Sequence, residues 1–213
     1  MLMIGKRELG KTTLAVSISR EYDTTVIFDP RHMIETTSDI IGDNGMSALY
    51  SMMQQRNDII VRPTFDIEGT FQKMCYQLYH YILQHPEEKI CLLVDESRFV
   101  PSPEKIKEFD FIVRCTPRSK VAVIMTCHGV VDISTNLRRI ADYWVFFHLT
   151  LNADLDTIYE KCGEEVVSSV KSLKPYEYVV WNDSNSTWKK HTDSQRWYVP
   201  LSLPKLVTER VSA

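Results

Sequence analysis

A recognisable phosphate-binding pattern lies near the start of the chain, where Gly5 opens the run GKRELGKT. This run fits the pattern G-x-x-x-x-G-K-[ST]. In that pattern backbone N–H groups curl around phosphate oxygens, the lysine reaches the β- and γ-phosphates, and the final hydroxyl helps to coordinate Mg²⁺. The run therefore predicts a site for ATP with Mg²⁺. The predicted nucleotide-binding residues are Gly5, Lys6, Arg7, Glu8, Leu9, Gly10, Lys11, Thr12 and Thr13.

Two adjacent carboxylates, Asp95 and Glu96, follow the apolar run ICLLV. A P-loop site needs a second metal-side carboxylate at the end of a neighbouring strand, which predicts Thr12 and Asp95 as the Mg²⁺ ligands. A carboxylate at the position of Glu96 can orient and deprotonate an attacking water. The pair therefore favours hydrolysis of the nucleotide by water.

A third polar group, Thr126-Cys127-His128, follows the run VAVIM. Because the carboxyl ends of parallel strands meet at one edge of a sheet, we expect a sensor of the γ-phosphate in this segment. His128 and Thr126 are both candidates, and His128 also fits a histidine that is hydrogen-bonded within the core. Asp29, at the end of the run VIFD, either contacts the site through water or caps the turn at Pro30.

A basic stretch lies between residues 114 and 139, where five cations face one acid, Asp132: Arg114, Arg118, Lys120, Arg138 and Arg139. This is a local positive cluster in a chain whose formal net charge is −3. It could supply an arginine to the nucleotide of a neighbouring subunit, contact the phosphates of a nucleic acid, or form a solvated face. The sequence leaves these three uses open.

The composition excludes several classes of protein. The chain has 213 residues, 44% of them hydrophobic, with 25 Lys+Arg against 28 Asp+Glu, so disordered and polybasic proteins are excluded. Its apolar runs are shorter than the roughly 18 to 20 residues of a membrane span, and no signal peptide is recognisable at its start. Its five cysteines lack metal-type spacing. We therefore expect no membrane span, no export, and reduced thiols.

Runs typical of strands and of helices follow one another along the chain. β-rich runs are predicted over residues 1–4, 24–29, 58–62, 89–95, 120–127 and 143–149. Helical spacing predicts a helix over 67–83 with Asp66 as its cap and Pro86 as its stop, a second helix after Pro103, and a third from Ser134. Strands that are apolar throughout suit a parallel sheet that is covered on both faces. The pattern predicts a three-layer α/β fold with a mainly parallel central sheet.

Domain organisation follows from the same pattern. With few glycines and prolines and no linker-like stretch, residues 1–213 are predicted to form a single domain, in which 1–150 is the motif-bearing core and 151–213 a C-terminal extension. The extension is predicted to contain two helices and then a β-hairpin, formed by YEYVVWND and TWKKH on either side of Ser-Asn-Ser.

The segments GKRELGKT, VIFDP, LLVDES and PRSKVAVIMTCHGVVDISTNLRRIADYWVFFHLT together resemble the HerA/FtsK superfamily of DNA-pumping ATPases. Within it, the chain is most similar to the compact genome-packaging ATPases of tailless, internal-membrane double-stranded DNA viruses, such as tectiviruses and archaeal turreted viruses. The resemblance spans about residues 1–149. It implies an ASCE-type P-loop fold of the RecA/FtsK kind.

The resemblance also implies roles for individual residues. Lys11, Thr12, Asp95 and Glu96 take the Walker positions, and Arg118 takes the position of the arginine that reaches into a neighbour's site. Arg114 is a second candidate for that arginine. His128 stands four residues before Asp132, where the family usually has glutamine.

The function that the resemblance implies is an ATP-driven motor that translocates double-stranded DNA. We expect a homo-oligomeric ring, pentameric or hexameric, acting with a viral procapsid vertex or portal-like components in the host cytoplasm or in the virion. Two other functions stay open. A small P-loop nucleotide kinase would share the length and the N-terminal P-loop but would need an Arg-rich lid and an acceptor pocket. A nucleotide-dependent assembly or scaffold factor would bind ATP to fix its shape, with turnover incidental.

Overall fold

The computed structural model describes residues 1–34, 39–55 and 58–192. These residues form nine strands and seven α-helices. In chain order they are β1 (Leu2–Ile4), α1 (Lys11–Ser19), β2 (Thr24–Phe28), β3 (Asp39–Ile41), α2 (Leu49–Met53), β4 (Asp58–Val61), α3 (Ile67–Gln84), β5 (Ile90–Val94), α4 (Lys107–Arg114), β6 (Val121–Cys127), α5 (Thr135–Ile140), β7 (Tyr143–Phe146), α6 (Asn152–Cys162), α7 (Glu164–Lys171), β8 (Tyr178–Asn182) and β9 (Thr187–His191).

The strands form one sheet in the order β3-β4-β2-β5-β6-β1-β7-β8-β9. Strands β1 to β7 pair in parallel, and β8 and β9 are antiparallel. Every residue of β2 and of β5 is buried, as a sheet with two covered faces requires. Helix α1 packs on one face through Leu14 and Ile18, and α3 and α4 pack on the other. The predicted three-layer, mainly parallel α/β fold is confirmed.

Helix α3 follows its sequence signals closely. The carboxylate of Asp66 accepts a hydrogen bond from the backbone N–H of Gly69 at 2.8 Å, which caps the first turn. The helix ends at Gln84, two residues before Pro86. Its residues at helical spacing, including Phe71 and Leu78, are fully buried. The amphipathic pattern therefore predicted both the helix and the face that it buries.

Two features of the fold differ from the prediction. The segment between β2 and β4 contains the edge strand β3 and the helix α2, neither of which the sequence pattern indicated, because each is only three to five residues long. The C-terminal hairpin is present, but it is not a separate appendage. Trp181 of β8 pairs with Trp144 of β7, so the hairpin continues the central sheet. Residues 193–213, the end of the predicted extension, lie outside the described residues.

The order of strands brings several loops to one place. In the parallel part of the sheet all carboxyl ends lie at the same edge, and β5, β6 and β1 are consecutive neighbours there. Ile4 is paired with Cys127, and Val94 with Met125, so the loops after these strands emerge side by side.

Among the described residues, the structure contains no helix whose length and apolar character would suit a membrane span.

Phe71 anchors the packing of α3 and offers a test of the fold. Its ring centroid lies 5.0 Å from that of Phe28 and 5.0 Å from that of Phe109, both in edge-to-face geometry. We expect Phe71→Ala to lower the free energy of unfolding by about 3–5 kcal/mol, since a cavity adds to the lost burial. The measurement is urea unfolding followed by circular dichroism. Phe65, which is 94% exposed, is the matched control, and Phe65→Ala should change stability by less than about 0.5 kcal/mol. Similar losses in both variants would contradict the described packing.

Candidate nucleotide-binding site

The two glycines of the phosphate-loop pattern are required by the backbone. A Cβ atom on Gly5 would lie 2.5 Å from the Cβ atom of Phe147, so the end of β7 leaves no room for a side chain there. Gly10, immediately before α1, has a φ of 95°, a conformation that favours glycine. The chain therefore leaves β1, turns tightly and enters a helix N-terminus, which is the geometry that binds phosphate groups. Lys6, Arg7 and Glu8, which form part of this turn, are exposed.

Lys11 is the first residue of α1 and is almost completely buried. Its Nζ atom donates a hydrogen bond to the backbone carbonyl of Lys6 at 2.6 Å, so the ammonium group lies against its own loop. Burial lowers the pKa of Lys11, and the nearby carboxylate of Glu96 acts in the opposite direction. A phosphate in the loop would be a second anionic partner for this cation. The neighbouring Thr13 is exposed.

Asp95 is the centre of a network of hydroxyl groups at the end of β5. Its Oδ1 atom accepts hydrogen bonds from Oγ1 of Thr12 at 2.9 Å and from Oγ1 of Thr126 at 2.7 Å. Burial raises the pKa of Asp95, and the two hydrogen bonds oppose that effect. The oxygens of Thr12 and Asp95 are hard ligands lying side by side. They fit Mg²⁺, which is usually bound by one or two protein groups together with the phosphates of a substrate.

Glu96 adopts an unusual backbone conformation. Its φ of 58° and ψ of 67° lie in the left-handed region, which is costly for a residue with a side chain. Such conformations cluster at functional sites, where the surrounding structure holds them. Here the backbone N–H of Glu96 donates a hydrogen bond to Oγ1 of Thr126 at 3.0 Å. The hydroxyl of Thr126 thus holds both the side chain of Asp95 and the backbone of Glu96.

The carboxylate of Glu96 is surrounded by cationic or proton-donating groups. Its Oε1 atom lies 2.7 Å from Nε2 of His128 and 3.5 Å from Nη1 of Arg31. Its Oε2 atom is buried, lies 3.7 Å from Nε of Arg98, and has no hydrogen-bond partner among residues 1–34, 39–55 and 58–192. One oxygen is therefore held, and the other has a free lone pair.

The position of the proton on His128 follows from two distances. Nε2 lies 2.7 Å from the carboxylate of Glu96 and 3.4 Å from Nε of Arg7. A ring nitrogen that donates its proton cannot accept one at the same time. The shorter distance indicates that Nε2 carries a proton and donates a hydrogen bond to Oε1 of Glu96. His128 is therefore a hydrogen-bond partner of this carboxylate and not a histidine satisfied within the core.

The structure brings six of the predicted site residues together: Lys11, Thr12, Asp95, Glu96, Thr126 and His128. It does not bring Arg118 or Arg114 to them. Arg118 precedes β6, whose two ends are roughly 20 Å apart at about 3.3 Å per residue, so it lies at the opposite edge of the sheet. There it pairs with Asp142 at 2.9 Å, while Arg114 pairs with Asp110 at 2.6 Å. Neither arginine reaches the site of its own chain.

Arg31 and Arg98 are neighbours of Glu96 that no sequence motif indicated. A usable signal was present for Arg31, because it follows the buried strand β2 at the same sheet edge as the phosphate loop.

Asp29 caps the turn that follows β2, since its carboxylate accepts hydrogen bonds from the backbone N–H groups of Met33 at 3.0 Å and Ile34 at 3.1 Å. Of the two interpretations of Asp29, the structure supports the cap.

Comparisons with known proteins support the fold. No protein-family model and no curated protein sequence matches the chain. Among solved structures, the genome packaging NTPase B204 from Sulfolobus turreted icosahedral virus 2, in complex with AMPPCP, is 16% identical, with 89% of this chain and 95% of that chain covered and a TM-score of 0.71. B204, the DNA-packaging ATPase from Sulfolobus turreted icosahedral virus, is 16% identical over 89% and 95% of the two chains, with a TM-score of 0.65.

VirB4 of Thermoanaerobacter pseudethanolicus is 11% identical over 89% of this chain and 87% of that chain, with a TM-score of 0.57. At such identities the likeness concerns the fold alone. The chain has the P-loop ATPase fold of these proteins, and the fold expected from the HerA/FtsK resemblance is confirmed.

Proposed function

We propose that this protein is a Mg²⁺-dependent ATPase that translocates double-stranded DNA, and that it packages a viral genome into a procapsid. The observation that carries the proposal is the convergence of a phosphate loop, the Thr12–Asp95 oxygen pair and a restrained carboxylate, Glu96, at one sheet edge. The fold shared with a viral genome-packaging NTPase supports the same conclusion.

The proposed chemistry assigns a task to each group. The N–H groups of the loop and the ammonium of Lys11 bind the β- and γ-phosphates and offset their charge. Thr12 and Asp95 would hold Mg²⁺, which when bound neutralises charge that develops on the phosphates. Glu96 orients the attacking water and takes its proton. His128 fixes one oxygen of Glu96, and Thr126 keeps Asp95 and Glu96 in place.

We further propose that the active form is a ring, pentameric or hexameric, in which each site receives an arginine from its neighbour. The resemblance to the HerA/FtsK superfamily makes Arg118 the first candidate and Arg114 the second, and neither reaches the site of its own chain. Their side chains are 50% and 37% exposed, so a neighbouring subunit has access to them. Such a ring would act at a procapsid vertex or with portal-like components, in the host cytoplasm or in the virion.

Duplex DNA is expected to bind without sequence preference and to stimulate ATP hydrolysis. Because neutralised phosphates release counterions, binding should weaken steeply as salt rises from about 50 to 200 mM. The measurements are ATPase rates with and without duplex DNA of two unrelated sequences, and DNA affinity across that range of salt.

Three outcomes would contradict the proposal. Transfer of the γ-phosphoryl group to an added nucleoside monophosphate, without stimulation by DNA, would identify a nucleotide kinase. Tight ATP binding with no turnover under any condition would favour an assembly factor. ATP hydrolysis that does not respond to DNA would support the ATPase activity and contradict DNA translocation.

A further inference from the structure

Arg31 contacts the carboxylate that we propose as the general base. Its Nη1 atom lies 3.5 Å from Oε1 of Glu96, the oxygen that also accepts a hydrogen bond from Nε2 of His128. The Arg31 side chain is 25% exposed and that of Glu96 only 10%. The pair is therefore largely shielded from water, unlike the exposed ion pairs that contribute little in general.

The loop that carries Arg31 is held by the buried side chain of Asp29. Asp29 is completely buried, and its carboxylate binds the backbone of Met33 and Ile34 as well as Nε of Arg62, the latter at 2.9 Å. Arg62 also donates a hydrogen bond to the backbone carbonyl of Ile34. The backbone around Arg31 is thus held by a buried ion pair, so this arginine approaches Glu96 from a defined position.

The two oxygens of Glu96 have different surroundings. Oε1 is shared by His128 and Arg31, whereas the buried Oε2 lies 3.7 Å from Nε of Arg98, whose side chain is 42% exposed. A carboxylate held through one oxygen by two groups cannot rotate freely. The orientation of the whole carboxylate is then fixed, and a fixed base favours abstraction of a proton from a positioned water.

We propose that Arg31 is a positioning residue for Glu96, acting together with His128 to hold its carboxylate in the orientation from which it takes the proton of the attacking water. This inference rests on the proposed hydrolytic function. Arg31 acts through Glu96, so its loss should lower kcat and leave the KM for ATP unchanged.

The test compares the wild-type protein with five variants in single-turnover and steady-state ATP hydrolysis. Arg31→Ala should lower kcat about tenfold, because the ion pair that orients the base is lost, while ATP affinity stays at the wild-type value. Arg31→Lys retains a cation at the end of a long side chain and should recover part of the loss. Arg20→Ala, which removes an exposed arginine at the far end of α1, is the matched control and should behave as wild type. In a Glu96→Gln background, Arg31→Ala should cause no further loss, since its route of action is already removed.

Several outcomes would overturn the inference. These are an unchanged or increased kcat in Arg31→Ala, a raised KM as its only effect, a Lys variant as impaired as the Ala variant, and an additive loss in the Glu96→Gln background. Failure of the hydrolase proposal has a different signature, in which wild-type protein has no ATPase activity or Glu96→Gln is fully active. Thermal unfolding of each variant separates a loss of orientation from a loss of folded protein.

Discussion

Glu96→Gln is expected to bind ATP as tightly as the wild-type protein and to hydrolyse it at least about 100-fold more slowly, because a positioned general base contributes about 10² to 10⁴ in rate. The substitution is nearly isosteric, and the amide oxygen can still accept the hydrogen bond from Nε2 of His128. What it removes is the capacity to take a proton from water. The measurements are ATP affinity, from displacement of a fluorescent nucleotide, and turnover, from release of inorganic phosphate.

Lys11→Ala is the contrasting variant. The ammonium of Lys11 lies against the phosphate loop, so its removal should weaken ATP binding and abolish turnover together. The two variants therefore separate binding from chemistry. Equal losses of ATP affinity in both would remove Glu96 from the role of base, and an active Glu96→Gln would contradict hydrolysis by this carboxylate.

The central part of the site could be predicted from the sequence because its residues are attached to strand ends. The phosphate loop, Asp95 and His128 each follow an apolar run, and in a parallel sheet such positions come to one edge whatever the exact strand order. Local sequence thus carried most of the information. Local sequence signals likewise predicted the N-terminal cap, the end and the buried face of α3.

The contacts that the sequence did not predict depend on which strands are neighbours. Arg31 reaches Glu96 only because β2 lies beside β5, and no local pattern determines that adjacency. The same limit applies to the continuation of the sheet into the hairpin, which depends on pairing between β7 and β8. The left-handed backbone of Glu96 also could not be read from residue type, since glutamate rarely adopts it.

Arg118→Ala is expected to retain ATP binding and to lose hydrolysis by about 10³ to 10⁵, the typical contribution of an arginine supplied by a neighbouring subunit. In its own chain Arg118 pairs with Asp142 at 2.9 Å and donates a hydrogen bond to the carbonyl of Val113 at 2.7 Å. Since its pair with Asp142 is partly exposed, loss of that pair should cost little stability. Asp142→Asn is the matched control, because it breaks the same pair and leaves the arginine in place. Wild-type turnover in this control would exclude the ion pair as the cause of any defect.

Mixing two inactive variants tests the shared site directly. An Arg118→Ala subunit keeps its phosphate loop, and a Lys11→Ala subunit keeps its arginine, so one competent composite site forms wherever they meet in the right order. Mixed assemblies should therefore recover a fraction of wild-type activity, once subunit exchange has been demonstrated with labelled protein and provided that turnover does not require every site in the ring. If no activity returns, the same experiment with Arg114→Ala decides between the two arginines. Failure of both would leave the basic cluster as a DNA contact or a solvated face, and full activity of dilute, monomeric wild-type protein would contradict the shared site altogether.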